Sequence, residues 1–149
     1  MKRSILALCT LLLSVNAFSQ KSNFGLGVML GNPTGVSAKL WTGEKIAVDA
    51  AFGYRIGVED HLRFNADYLF HPWSFNVEQD ILKPYFGAGF GLGFISDFSV
   101  SVRVPVGAAY FFQPVPLEVF AEIAPGFQII GPGDTRFCFE GYLGVRWYF

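Results

Sequence analysis

Nine charged side chains share one phase of a chain whose other phase is almost wholly apolar. Lys39, Asp49, Arg63, Asp67, Arg103, Glu118, Glu122, Glu140 and Arg146 each directly follow an apolar residue. Four bases and five acids on one face can pair with one another across an enclosed space, where an unpaired charge is costly. Catalysis has thinner support. The histidines are His61 and His71, and His71 with Ser74 in His71-Pro-Trp-Ser74 is the nearest pair; a capped turn anchored by Trp73 accounts for it. An enzyme acting on membrane lipid would need a nucleophile and a base on the apolar phase, which carries no serine, histidine or acid. No cluster of ligands suits a metal. The alternating glycines Gly87 to Gly93 precede no helix and form no phosphate loop. No catalytic, cofactor-binding or metal residues are therefore expected.

The elements that must carry these charges follow from period-two alternation. Eight strands are expected, with apolar faces at Phe24–Leu30, Val36–Leu40, Ile46–Tyr54, Leu62–Phe70, Phe86–Phe94, Val100–Tyr110, Leu117–Ile123 and Phe137–Phe149. All nine charges fall on the opposite phase. Alternation alone also fits a soluble sandwich with one wet face. The apolar faces are too uniform and too aromatic for a small core, however, and their partners mix glycine with ion-pairing residues. Membrane-spanning strands need about 9–11 residues and alternate apolar-out, polar-in. The expected fold is thus all-β: an eight-stranded, antiparallel, up-and-down transmembrane β-barrel. The glycines of strands one and five leave room for long side chains.

Composition agrees. The chain is 52% hydrophobic and 17% aromatic with 15% charge, and lipid accepts only helices or closed barrels. Residues 1–19 read as a signal peptide: Lys2 and Arg3, an apolar run from Ile5 to Val15, then Ala17-Phe18-Ser19, with cleavage before Gln20. The barrel domain is then 20–149. Cys9 lies in that segment after Leu8, where a lipobox needs a small residue. Cys138 is left alone, with no internal disulfide and an inert, core-facing thiol expected. Eleven bases less Lys2 and Arg3 stand against twelve acids, a net of −3, and no basic patch suggests nucleic acid.

Turn-like segments place outer loops at 32–35, 55–61, 96–99 and 124–135, and periplasmic connections at 42–45, 71–84 and 113–116. Tyr68, Phe70, Tyr110, Phe112, Trp147 and Phe149 then form an interfacial girdle at the periplasmic end. Pro105 should bulge the sixth strand, because it lacks a ladder N–H.

Several stretches carry a family resemblance. Gly31-Asn-Pro-Thr-Gly-Val-Ser-Ala-Lys-Leu-Trp41, Asn65-Ala-Asp-Tyr-Leu-Phe-His71, Val102-Arg-Val-Pro-Val-Gly107, Pro116-Leu-Glu-Val-Phe-Ala-Glu122 and Gly144-Val-Arg-Trp-Tyr-Phe149 resemble a family of small outer-membrane β-barrel proteins, similar in architecture to the OmpA transmembrane domain and OmpX. The resemblance implies an integral outer-membrane location and insertion by the Bam machinery. The C-terminal signal for that machinery would be Leu143, Val145, Trp147 and Phe149. It implies no catalytic or ligand-binding residues. The functional expectation is a non-enzymatic, monomeric barrel in outer-membrane lipid, with a charge-paired, side-chain-plugged lumen and a structural or surface-interaction role. Two alternatives are a narrow solute or ion channel, and a secreted soluble barrel whose aromatic phase faces inward around an apolar ligand.

Overall fold

The structure, a computed structural model, describes residues 23–55, 61–94, 97–133 and 135–149. The signal-peptide segment 1–19 lies outside the described residues, as do 56–60, 96 and 134 of three expected loops. Ten strands are described: β1 (Phe24–Asn32), β2 (Thr34–Trp41), β3 (Ile46–Arg55), β4 (His61–Phe70), β5 (Phe75–Val77), β6 (Asp80–Phe94), β7 (Ser99–Arg103), β8 (Val106–Phe112), β9 (Leu117–Ile130) and β10 (Arg136–Tyr148). All pairings are antiparallel, and β10 pairs with both β9 and β1, so the sheet closes on itself. Strands β7 and β8 are two halves of one stave between β6 and β9. The result is a ring of eight staves, with β5 outside the count as a short flap on β6.

The register fixes the size of the ring. Gly25 lies opposite Lys39, and the partners then run through Asp49, Asp67, Gly89, Arg103, Gly126 and Cys138. Gly141 pairs with Asn32, so Cys138, three residues earlier on β10, comes level with Gly35, ten residues past the start. With about 3.3 Å per residue and about 4.8 Å between strands, that offset over eight staves tilts them by about 40° and leaves a backbone radius of about 8 Å. Such an interior is filled by side chains.

The two phases separate as the alternation requires. Leu30 is 69% exposed, Leu143 63% and Phe90 45%, all on the outer wall, whereas all nine charged residues of the opposite phase are buried. The inverted barrel, with aromatics inward, is thereby overturned.

Three expected boundaries need correction. The 71–84 connection is not all loop: β5 and the first three residues of β6 form a hairpin, closed by a two-residue turn in which Glu78 has φ of 57°. Pro84 is tolerated inside β6, where it pairs with Ala108. The outer loop 124–135 is also much shorter than expected, because β9 continues to Ile130. Pro125 stays in register because its carbonyl accepts from Val104 N–H at 2.9 Å, a bond that needs no donor from the proline. Finally, the sixth strand is interrupted at Val104-Pro105 rather than simply bulged. The carbonyl of Pro105 still accepts from Gly87 N–H at 2.9 Å, which holds β6 against the break.

Candidate functional site: the charged lumen

Inward positions of β2, β3, β9 and β10 assemble one cluster near the end that carries the C-terminus. Arg146 is its hub. It is 1% exposed, its Nη1 donates to Glu118 Oε1 at 2.8 Å, and its Nη2 pairs with Asp49. Arg146 Nε and Nη2 also donate to Ser37 Oγ at 2.9 and 2.7 Å, and that hydroxyl passes a bond to Asp49 at 3.4 Å. The guanidinium lies 3.6 Å from the centroid of the Phe120 ring, a stacked cation–π contact. Phe120 fits because Gly144 is bare: a Cβ there would come within 2.3 Å of the ring.

Lys39 completes this cluster. Its Nζ donates to Glu118 Oε1 at 3.3 Å and sits 3.1 Å from His71 Nε2. An ammonium only donates, so Nε2 accepts and the ring proton rests on Nδ1. The His71 ring lies tilted against Trp41 and Tyr85, with centroids 4.5 and 5.0 Å away. Tyr148 donates to Glu118 and accepts from Trp41 Nε1 at 3.1 Å. This corrects the His71–Ser74 reading: Ser74 is exposed, while His71 is a buried lumen residue whose backbone N–H bonds Lys45 at 2.7 Å.

The second cluster, toward the other mouth, is built on Arg103 from β7. Its guanidinium meets three carboxylates, Asp67 at 3.2 Å, Glu122 at 2.7 Å and Glu140 at 2.5 Å. Tyr142 accepts from Arg103 at 2.8 Å and donates to Glu122, which also receives the Tyr85 hydroxyl at 2.8 Å. Arg63 lies 2.6 Å from Glu140, which accepts from Asn65 at 2.9 Å. Gly91 makes room here, since a Cβ would fall 2.5 Å from Arg63 Nη2 and 2.7 Å from Asn65 Oδ1.

All nine charges singled out in the sequence therefore enter these two clusters. Several of their partners did not stand out there: Ser37, Asn65, Tyr85 and Phe120. Most of them lie on the charged phase of their own strand, and that parity was the available signal. Lys83 is also on this phase, with its Nζ 4.7 Å from the Trp41 ring centroid. Cys138 sits half-buried on the inward phase of β10. Of the four C-terminal residues, Leu143, Val145, Trp147 and Phe149 all stand exposed on the outer wall, and Phe149 N–H closes onto Phe24 O at 3.2 Å. Among the described residues no group of three or more His, Cys, Asp or Glu is arranged to hold a metal.

This ring is similar to the N-terminal β-barrel domain of Pseudomonas aeruginosa OprF, with TM-score 0.65 and 16% identity over 87% of this chain and all of that one. The fold is that of a small outer-membrane barrel. Ail, the attachment invasion locus protein of Yersinia pestis, aligns over 86% of this chain and 97% of its own at 16% identity and TM-score 0.44. No protein-family model matches the chain, and no curated protein does.

Proposed function

We propose that this protein is an integral, monomeric outer-membrane barrel with a structural or surface-interaction role and no enzymatic activity. The observation that carries the reading is the division of the wall. The outer face is apolar from rim to rim, while Lys39, Asp49, Arg63, Asp67, Arg103, Glu118, Glu122, Glu140 and Arg146 are turned inward and paired. In water such a wall would be an aggregation surface far larger than soluble monomers expose. In lipid it is the solvent-facing surface of a barrel whose backbone is satisfied by closure. The paired charges then act as a plug that fills the lumen and fixes the register of opposite staves. On this reading export uses the 1–19 signal peptide, outer-membrane lipid surrounds the wall, and the Bam machinery reads Leu143, Val145, Trp147 and Phe149 during insertion. Nucleic acid is no partner.

The test is the migration of envelope-fraction protein on SDS gels, unboiled against boiled, beside a version lacking Phe149. The reading expects a heat-dependent shift that weakens in the truncation. Protein found in the soluble fraction without a shift would refute it. Planar-bilayer recording separates the plug from a channel, for which steady conductance altered by Glu122→Gln or Arg103→Gln would be the evidence.

A further inference from the structure

The β5–β6 hairpin extends the outer wall past the end of β4, where β5 replaces β4 as the neighbour of β6 while β8 stays paired with β6 as far as Ile81. Phe70, the last residue of β4, pairs with Phe86, yet β6 runs on to Asp80. Leu82 is four residues past Phe86, about 13 Å along the strand at about 3.3 Å per residue and about 10 Å along the barrel axis after the tilt. The register places Phe75 opposite Leu82 and Val77 opposite Asp80, on the outward phase shared with Phe86. Phe75 is 51% exposed, Val77 and Phe86 are exposed, and the preceding Trp73 is also exposed. Edge-to-face contacts join Phe70 to Phe86 at 5.7 Å and Tyr110 to Phe112 at 5.0 Å just above. The flap is braced: Asp80 accepts from the Tyr110 hydroxyl at 2.9 Å and from Gln113 N–H at 3.0 Å.

Among the described residues β5 pairs with β6 alone, so its second edge is open. An open apolar edge in water invites aggregation. The same edge at a membrane boundary is covered by lipid, and aromatic side chains are favoured at that depth. The acids of the hairpin, Glu78 and Asp80, lie at its turn end, where Tyr110 and Gln113 satisfy the Asp80 carboxylate.

We infer that the β5–β6 hairpin is a membrane-interface anchor, with Phe75 and Val77 seated at the headgroup–acyl boundary of the leaflet nearest the C-terminal rim. The inference rests on the outer-membrane reading above and adds a specific, one-sided lipid contact that sets the depth and lean of the barrel. Continuity with the apolar wall favours lipid over a protein strand as its occupant.

The test compares two full-length single-tryptophan proteins in vesicles of phosphatidylcholine brominated near the headgroup end of its chains. One keeps Trp147, with Trp41→Phe and Trp73→Phe; the other carries Phe75→Trp with all three native tryptophans replaced by phenylalanine. The expected result is a loss of fluorescence at position 75 comparable to that at Trp147, with protection from aqueous iodide. Quenching of Trp147 with an unquenched, iodide-accessible position 75 would overturn the anchor and leave the membrane reading standing, as a flap bound to protein or free in water would require. Quenching at neither site would overturn both. Val77→Trp, on the same face, repeats the measurement should Phe75→Trp fail to fold.

Discussion

Replacing Arg103 with methionine tests the plug at its most connected point. The side chain is 2% exposed and meets Asp67, Glu122, Glu140 and the Tyr142 hydroxyl. Methionine preserves bulk and leaves three carboxylates with Arg63 as the one base of their cluster. Removing one partner of a buried ion pair costs about 3–5 kcal/mol. Because three acids share this guanidinium, Arg103→Met is expected near the upper end, about 5 kcal/mol. Asp67→Asn supplies the control. The ion pair of Asp67 is with Arg103, and its loss brings the nine-residue set to four acids and four bases. Alone it should cost about 1.5–3 kcal/mol, the scale of a hydrogen bond to a charged group. In the double variant it should recover about 2 kcal/mol of the Arg103→Met loss, within the usual range for residues in one network. The assay is equilibrium urea unfolding in lipid vesicles, read by the folded band on unboiled gels. An Arg103→Met cost below about 1 kcal/mol, the value of an exposed pair, would refute the buried plug. So would a double variant no more stable than Arg103→Met alone.

The remaining predictions use the same assay unless stated. Phe120→Ala removes the ring under Arg146 and leaves a cavity, at an expected cost of about 3–5 kcal/mol; a loss under about 1 kcal/mol would mean that the ring is not load-carrying. Gly91→Val forces Arg63 and Asn65 from their places and should cost at least about 1–3 kcal/mol, whereas Gly133→Ala, with nothing within 4 Å of its Cβ position but φ of 87°, should cost less. His71→Leu keeps the bulk between Trp41 and Tyr85 but takes an acceptor from the buried Lys39 ammonium, and should cost about 1–3 kcal/mol; a neutral result would show that Glu118 alone suffices. Deleting Phe149 should lower the amount assembled in cells while refolding into detergent proceeds, and equal loss in both would assign the residue to stability rather than assembly.

The sequence announces the parts of this fold that depend on parity alone. Eight staves, the outward apolar phase and the inward position of all nine charges follow from an alternation that Lys39 to Arg146 never break. It hides what parity does not govern. Pro72, Pro84, Asp80 and Lys83 disguise the β5–β6 hairpin as a loop, because prolines and charges read as turn signals even though Pro84 keeps its place in the register opposite Ala108. Pro125-Gly126 disguises the upper half of β9 in the same way. His71 looks like a turn residue beside Pro72, yet it continues the inward phase of Arg63, Asp67 and Leu69. Which acid meets which base across the lumen depends on the ten-residue offset of the closed ring, a property of the whole sheet that no single segment carries.

Spin-label accessibility in bilayers reads whether lipid meets the odd phase of β9 while the lumen holds the even phase. Labels at Val119, Ala121, Ile123 and at Phe120, Ala124, in a Cys138→Ser background, sample both walls of one strand. Collision with dissolved oxygen should be high at the first three and low at the other two, a clean two-residue alternation. Equal accessibility at all five sites, or contact of Val119, Ala121 and Ile123 with a water-soluble relaxant, would contradict that placement.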